Sequence, residues 1–286
     1  MEINNISIIG AGLMGHGIAQ VCATHGYNVK LTDIDAAYLK KAIEKIDTSL
    51  KRFVKKKTLS DVDRKKILDR IQLVPEFEDT VADANLVIEA VSEDINLKKS
   101  IFKALDEHTN SSAILASNTS QFSITEIASA VSDPARVVGM HWFNPPVLMK
   151  LIEVVKGLLT SDGVINCIRE FAGRVNKEVV VCNDSQGFIT TRALMALRLE
   201  CYRILEEGVA SRKDIDKALK LALGHPMGQF ELADFSGLNL EVPVCESLTA
   251  SFGERFRAPQ ILLNNVRAGR LGRKSGAGWY DYSEKG

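Results

Sequence analysis

Gly10-Ala11-Gly12-Leu13-Met14-Gly15 follows directly on a short apolar segment, Ile6, Ile8 and Ile9, and opens a run with helical spacing of apolar residues. Three glycines so placed leave few folds open: a strand, a tight turn and a helix that packs closely on the strand it follows. Gly10 makes the turn, Gly12 lets backbone amides approach an anion, and Gly15 allows helix and strand to touch. The helix start at Leu13 and Met14 then points unpaired amides at that anion. Met14, Ile18, Val21 and Cys22 recur at intervals of three and four, so one face of the helix lies on a sheet.

A second strand, Tyr27 to Thr32, alternates apolar Tyr27, Val29 and Leu31 and ends at Asp33. That is the distance beyond the glycines at which a carboxylate meets the ribose of a dinucleotide. Asp33 would accept both ribose hydroxyls of NAD and repel the extra phosphate of NADP, and neither Ile34 nor Asp35 supplies a cation for such a phosphate. NAD is therefore the expected cofactor. A solvated aspartate at a strand end is the alternative for Asp33.

The chain has 286 residues, 45% of them hydrophobic, which suits two domains. Its 36 basic and 36 acidic residues cancel, which argues against a bulk electrostatic surface for nucleic acid. Five widely spaced cysteines form no C-x-x-C pair and no metal-ligand pattern with histidine, so reduced thiols and no metal are expected. The amino terminus passes straight into the first strand, and no apolar stretch approaches membrane-spanning length. These features point to a cytoplasmic protein with no membrane partner.

Helical spacing runs from Ala36 to about Lys57, and Ser60 with Asp63 marks the capped start of another helix. Leu86 to Val91 reads as a buried parallel strand, followed by a helix through Leu97, Ile101 and Leu105. Further strands are expected at Ala113 to Ala116, Val137 to Met140, Leu151 to Val155 and Glu178 to Val181, with a helix near Ile165 to Val175. This alternation predicts an α/β fold, a Rossmann-like doubly wound sheet, over residues 1–183. From Asp184 the texture is helical, which predicts an all-helical C-terminal domain over 184–286 and a ligand cleft at the strand ends.

His141 stands just past an apolar strand, and Glu153 lies among apolar neighbours on the next one, Leu151-Ile152-Glu153-Val154-Val155. A carboxylate in such a strand needs a buried partner. If the two strands are neighbours, Glu153 would fix the tautomer of His141 and make it a general base, an effect of roughly 10²- to 10⁴-fold in rate. His141 alone is equally compatible with a satisfied core histidine, and Glu153 with a solvent-facing position.

These residues resemble the short-chain L-3-hydroxyacyl-CoA dehydrogenases, including the bacterial 3-hydroxybutyryl-CoA dehydrogenases. The resemblance spans essentially the whole chain and rests on ordered motifs. They are Gly10 to Gly15, Ser117-Asn118-Thr119-Ser120, His141 to Pro146 with Lys150 to Glu153, Gly187-Phe188-Ile189, His225-Pro226-Met227-Gly228, and Leu271-Gly272-Arg273-Lys274-Ser275-Gly276. It implies that His141, paired with Glu153, removes the 3-hydroxyl proton as hydride passes to nicotinamide. Ser120 would bond the reacting oxygen, and Asn144 would position substrate and nicotinamide. Glu93, Lys98 and Lys274 would contact the NAD side, and Ser49 with Lys56 would contact CoA. The basic run Lys51, Arg52, Lys55, Lys56 and Lys57 suits CoA phosphates, although cations at a helix C-terminus also complement the helix dipole. A homodimer formed through the helical domain is implied as well.

One position departs from the family pattern Gly-Phe-x-x-Asn-Arg, since this chain reads Gly187-Phe188-Ile189-Thr190-Thr191-Arg192. Thr191 keeps a hydroxyl but is shorter than the amide it replaces. With Gln229 and Ser236, it leads to the expectation of an acyl group bulkier or more polar than acetoacetyl. Two rival readings remain at this level: a dehydrogenase for 3-hydroxy acids that are not CoA esters, and a non-catalytic NAD-binding protein.

Overall fold

The computed structural model describes residues 2–283, which form two compact units that divide between Phe188 and Ile189. The first is built on eight strands: β1 (Asn5–Ile9), β2 (Asn28–Thr32), β3 (Ile71–Leu73), β4 (Leu86–Glu89), β5 (Ile114–Ser117), β6 (Val137–Trp142), β7 (Leu151–Lys156) and β8 (Glu178–Asn183). They lie in one sheet in the order β3-β2-β1-β4-β5-β6-β7-β8. The seven accompanying helices are α1 (Leu13–Thr24), α2 (Ala36–Lys55), α3 (Asp61–Asp69), α4 (Phe77–Val81), α5 (Ile95–His108), α6 (Ile124–Ala128) and α7 (Asp162–Arg174). The chain reverses its direction of travel across the sheet between β1 and β4, the place where open α/β sheets bind ligands.

Alternate residues of each strand feed two cores, as period-two geometry requires. Ile6, Ile8, Leu86, Ile88, Met140 and Trp142 join one core, which also takes in Ile18 of α1, Ile46 of α2 and Phe171 of α7. Val87, Leu115, Val137 and Val155 join the other, with Phe102 of α5 and Ile127 of α6. Both faces are covered, which is why the central strands read as continuous apolar runs. Helix α2 buries Leu39, Ala42, Ile46 and Leu50 at helical spacing and is capped by the Asp35 carboxylate, which accepts from Ala37 N. Ser60 caps α3 by accepting from Asp63 N, as its sequence signature predicts.

Two features lie outside the sequence expectation. The short strand β3 and helix α4 carry too few apolar residues to announce themselves, and β3 is held at the sheet edge by pairing with β2. The link from β6 to β7 is a loop rather than a helix, so β6 and β7 pair antiparallel, while the other pairings are parallel. A connection without a crossover leaves the second strand no route back to the parallel direction. Residues 184–188 pack with the first unit. The Asp184 carboxylate accepts from Ser123 Oγ, Ile124 N and Thr125 N at 2.6 to 3.1 Å at the start of α6, and Phe188 is in the second core.

The second unit contains α8 (Thr190–Glu206), α9 (Arg212–Leu223), α10 (Gln229–Ser236), α11 (Glu241–Phe252) and α12 (Gln260–Arg267). Its core gathers Tyr202, Phe230 and Trp279, with ring centroids 4.6 to 5.3 Å apart. Asp234 accepts from Trp279 N, Tyr280 N and Tyr282 Oη, which fastens the tail to α10. No helix among the described residues is long and apolar enough to cross a membrane. Among the described residues, the five cysteines form no disulfide.

Candidate active site

The carboxyl ends of β1, β2, β4, β5 and β6 lie along one edge of the sheet, and each delivers part of a site there. After β1, Gly10 has φ +101°, and an added Cβ would lie 2.7 Å from Ala90 O. A Cβ on Gly15 would stand 1.8 Å from Gly10 O, so only glycine lets α1 start this close to the turn. The space beside Gly12 is open, and no side chain caps α1. The first amides of the helix, at Leu13 and Met14, thus stay available to an anion. After β2, Asp33 Oδ2 accepts from Ala11 N at 2.7 Å, so the carboxylate braces the glycine turn and keeps further lone pairs for a ribose. These residues fit a dinucleotide.

A buried ionic cluster follows β4. Glu89, with 0% exposure, accepts from Lys98 Nζ (2.7 Å), Val91 N (2.8 Å) and Ser117 Oγ (2.6 Å). Lys98 also meets Glu93 at 3.1 Å. Burial pulls the Lys98 ammonium down, but the two carboxylates outweigh it and hold its pKa above the ordinary lysine value. Glu93 in turn accepts from Thr119 Oγ1 (2.6 Å), Ser120 N (2.8 Å) and Ser120 Oγ (3.2 Å). The motif Ser117 to Ser120 is therefore clamped to the end of β4. Lys98 is only 1% exposed, so its ammonium acts on the sheet edge through Glu93 rather than at the surface. Glu89, the hub of this cluster, carried no sequence signal beyond being an acid at the end of an apolar run.

At the end of β6, His141 lies directly opposite Glu153 of β7 in the antiparallel register. Directly opposed residues share a face, and here Nδ1 and Oε2 are 2.7 Å apart. Glu153 is fully buried and the His141 side chain is 9% exposed. The imidazole stands against Phe143 (centroids 4.4 Å) and Phe188 (6.0 Å). With Nδ1 committed to the carboxylate, Nε2 is the nitrogen left for exchange with a ligand. Asn118 Oδ1 accepts from Trp142 N at 2.9 Å and ties the serine-rich turn to the same strand end.

A cavity of about 620 Å³ opens between α1, α2 and the loop after β6. The loop supplies Asn144, Pro145, Pro146, Val147 and Leu148, and α1 supplies Leu13, His16, Gly17 and Gln20. From α2 and its end come Ser49, Arg52 and Lys56, together with Lys41 and Lys45, which sequence reasoning missed. Their spacing was a usable signal, since 41, 45, 49, 52 and 56 trace one stripe of a helix. Lys51 instead pairs with Asp47 at 2.7 Å.

Thr191 and Lys274 belong to the second unit. Thr191 is half-buried in the first turn of α8. Lys274 is exposed in the short turn Arg273–Ser275, beside a cavity of about 300 Å³ that Phe235, Ser236 and Leu240 also line. The Ser236 hydroxyl is taken up by Leu232 O at 2.8 Å. Gln229 is buried, with Nε2 3.4 Å from His225 Nδ1.

A switch-point sheet with a glycine cradle, a strand-end aspartate and a histidine–glutamate pair on one edge defines an NAD-binding dehydrogenase. Residues 5–185 match the family model for the 3-hydroxyacyl-CoA dehydrogenase NAD binding domain, and residues 187–282 match that for the C-terminal domain. The chain belongs to the 3-hydroxyacyl-CoA dehydrogenase family. It is 39% identical to a probable 3-hydroxybutyryl-CoA dehydrogenase of Bacillus subtilis, covering 100% of this chain and 99% of that protein. It is 38% identical to the mitochondrial hydroxyacyl-coenzyme A dehydrogenase of Rattus norvegicus, covering 98% and 91%. Among solved structures, (S)-3-hydroxybutyryl-CoA dehydrogenase PaaH1 from Ralstonia eutropha superimposes with a TM-score of 0.95 at 38% identity, covering 99% of this chain and 100% of that one.

Proposed function

We propose that the protein reversibly oxidises the 3-hydroxyl of an L-3-hydroxyacyl-CoA thioester with NAD, with His141 as general base and Glu153 as its partner. The observation that carries this reading is the 2.7 Å contact between His141 Nδ1 and the buried Glu153 carboxylate. The carboxylate keeps the Nδ1 proton in place, leaves Nε2 to take the hydroxyl proton, and stabilises the imidazolium that results. Bound NAD supplies the hydride acceptor for C3. In the reverse direction the imidazolium returns its proton to the 3-keto oxygen.

Ser120, whose hydroxyl rests on Glu93 at 3.2 Å, bonds the reacting oxygen in this reading, and Asn144 positions the substrate. Gly10, Gly12, Leu13, Met14, Gly15 and Asp33 hold the dinucleotide, with Glu93 and Lys274 contacting the NAD side and Lys98 acting there through Glu93. Ser49 and Lys56 receive the CoA nucleotide in the 620 Å³ cavity. Thr191 meets the acyl group, and its shortness favours one bulkier or more polar than acetoacetyl. The N-terminal unit binds NAD, and the helical unit serves substrate binding and a homodimer contact. The exposed apolar side chains of Leu221 and Leu223 on α9 suit such a contact. A cytoplasmic setting goes with this reading.

The test is NADH oxidation with acetoacetyl-CoA beside longer and carboxylated 3-ketoacyl-CoAs, repeated with His141→Gln. Turnover that falls roughly 10²- to 10⁴-fold in the variant is expected. NADH binding without reduction of any thioester would overturn the reading.

A further inference from the structure

We propose that His16 selects the thioester's carrier: its Nε2 accepts a hydrogen bond from an amide N–H of the pantetheine arm of CoA. This rests on the reading of the α1/α2 cavity as the CoA site. His16 stands in the first turn of α1 and lines that cavity. Its Nδ1 lies 2.5 Å from Gly12 O. A carbonyl oxygen only accepts, so Nδ1 carries the proton and the neutral ring bears its lone pair on Nε2. No described residue meets that nitrogen. Burial keeps the ring below the ordinary histidine value, Gly12 O opposes that, and Lys45 adds to the depression.

The charges around the cavity divide the ligand's parts. Helix α2 brings Lys41, Lys45, Arg52 and Lys56, with Glu44 as its carboxylate, while the loop 144–148 and the α1 wall bring no other charged group. Phosphates belong with Arg52 and Lys56 at the far end of the stripe. His16 shares the cavity with Lys45, which lies 11 residues before Lys56, about 16 Å along the helix at 1.5 Å per residue. Leu13 and Asn144 line the same cavity, and Asn144 stands three residues past His141, which brings the cavity wall close in the chain to the proposed base. What passes His16 is therefore the arm between the nucleotide and the thioester. A neutral acceptor there repels phosphate oxygens and matches the N–H groups that this arm carries.

The experiment compares His16→Phe, which keeps a ring and removes the acceptor, with His16→Gln, which keeps an acceptor. For His16→Phe, KM for acetoacetyl-CoA and Kd for free CoA by calorimetry should rise about five- to tenfold, the value of one hydrogen bond. KM should change far more than kcat, and NADH affinity should hold. Acetoacetyl-pantetheine should lose the same factor, and His16→Gln should stay within about threefold of wild type. Equal values in wild type and His16→Phe, equal losses in both variants, or a loss confined to CoA and absent with pantetheine would each overturn the assignment. A wild type that binds CoA and reduces no thioester would overturn the dehydrogenase reading alone, because Kd for CoA still reports on His16.

Discussion

His141 and Glu153 are register partners across the β6·β7 pairing, twelve residues apart in the chain and 2.7 Å apart at Nδ1 and Oε2. Glu153→Gln keeps the shape and removes the charge that stabilises the imidazolium. It should lower kcat by at least about tenfold and His141→Gln by roughly 10²-fold or more, with NADH affinity retained in both. Steady-state kinetics together with NADH fluorescence titration separates the two effects. Glu153→Gln with wild-type kcat would remove the carboxylate from the mechanism.

Asp33 accepts from Ala11 N, and in the proposed reading it also accepts from the ribose of NAD. Asp33→Ala loses a charge-assisted bond on each side, so the Kd for NADH should rise about ten- to a hundredfold and the preference over NADPH should shrink. Calorimetry with both dinucleotides checks this.

Lys98 neutralises two carboxylates at a position where its side chain is 1% exposed. Lys98→Met leaves Glu89 buried and uncompensated, at a cost of about 3–5 kcal/mol in urea unfolding at pH 7. The sign of the pH dependence follows from the raised lysine pKa. The stabilisation is complete below the unfolded value near 10.5 and is lost as pH climbs through the higher folded value. Wild type should therefore lose stability above about pH 10.5 more steeply than Lys98→Met.

Gly17 lets α1 approach the loop that walls the cavity, since a Cβ there would stand 2.9 Å from two ring carbons of Pro146. Pro146 has little room to retreat, because Lys177 Nζ donates to Pro146 O and Met149 O at 2.6 Å each. Gly17→Ala should cost about 1–3 kcal/mol and raise KM for the CoA thioester. Lys177→Met, which releases the loop, should raise the same KM. Thermal unfolding and KM measured together distinguish strain from mobility.

Much of this was legible in the chain. The glycine turn, the strand ending in Asp33 and the stripe of Leu39, Ala42, Ile46 and Leu50 are local patterns whose periodicity fixes both element and face. The capping of α3 by Ser60 is equally local. Strand β3 was not legible, because three residues with one buried side chain carry no period. Lys98 was expected to contact the NAD side, and only its pairing with Glu89 and Glu93 makes it the centre of a buried cluster.

By itself, then, the sequence determined the alternation of strands and helices, the glycine cradle and the inventory of chemical groups, because each depends on residues a few positions apart. The tertiary structure decided which groups meet. A glutamate inside an apolar strand requires some partner, but His141 becomes that partner only through the antiparallel register of β6 and β7. Likewise, the cations of α2 become one wall of a cavity only when Gly17 and Lys177 hold the Pro145–Pro146 loop opposite them. Such pairings depend on strand register and packing between distant segments, and no local spacing encodes them.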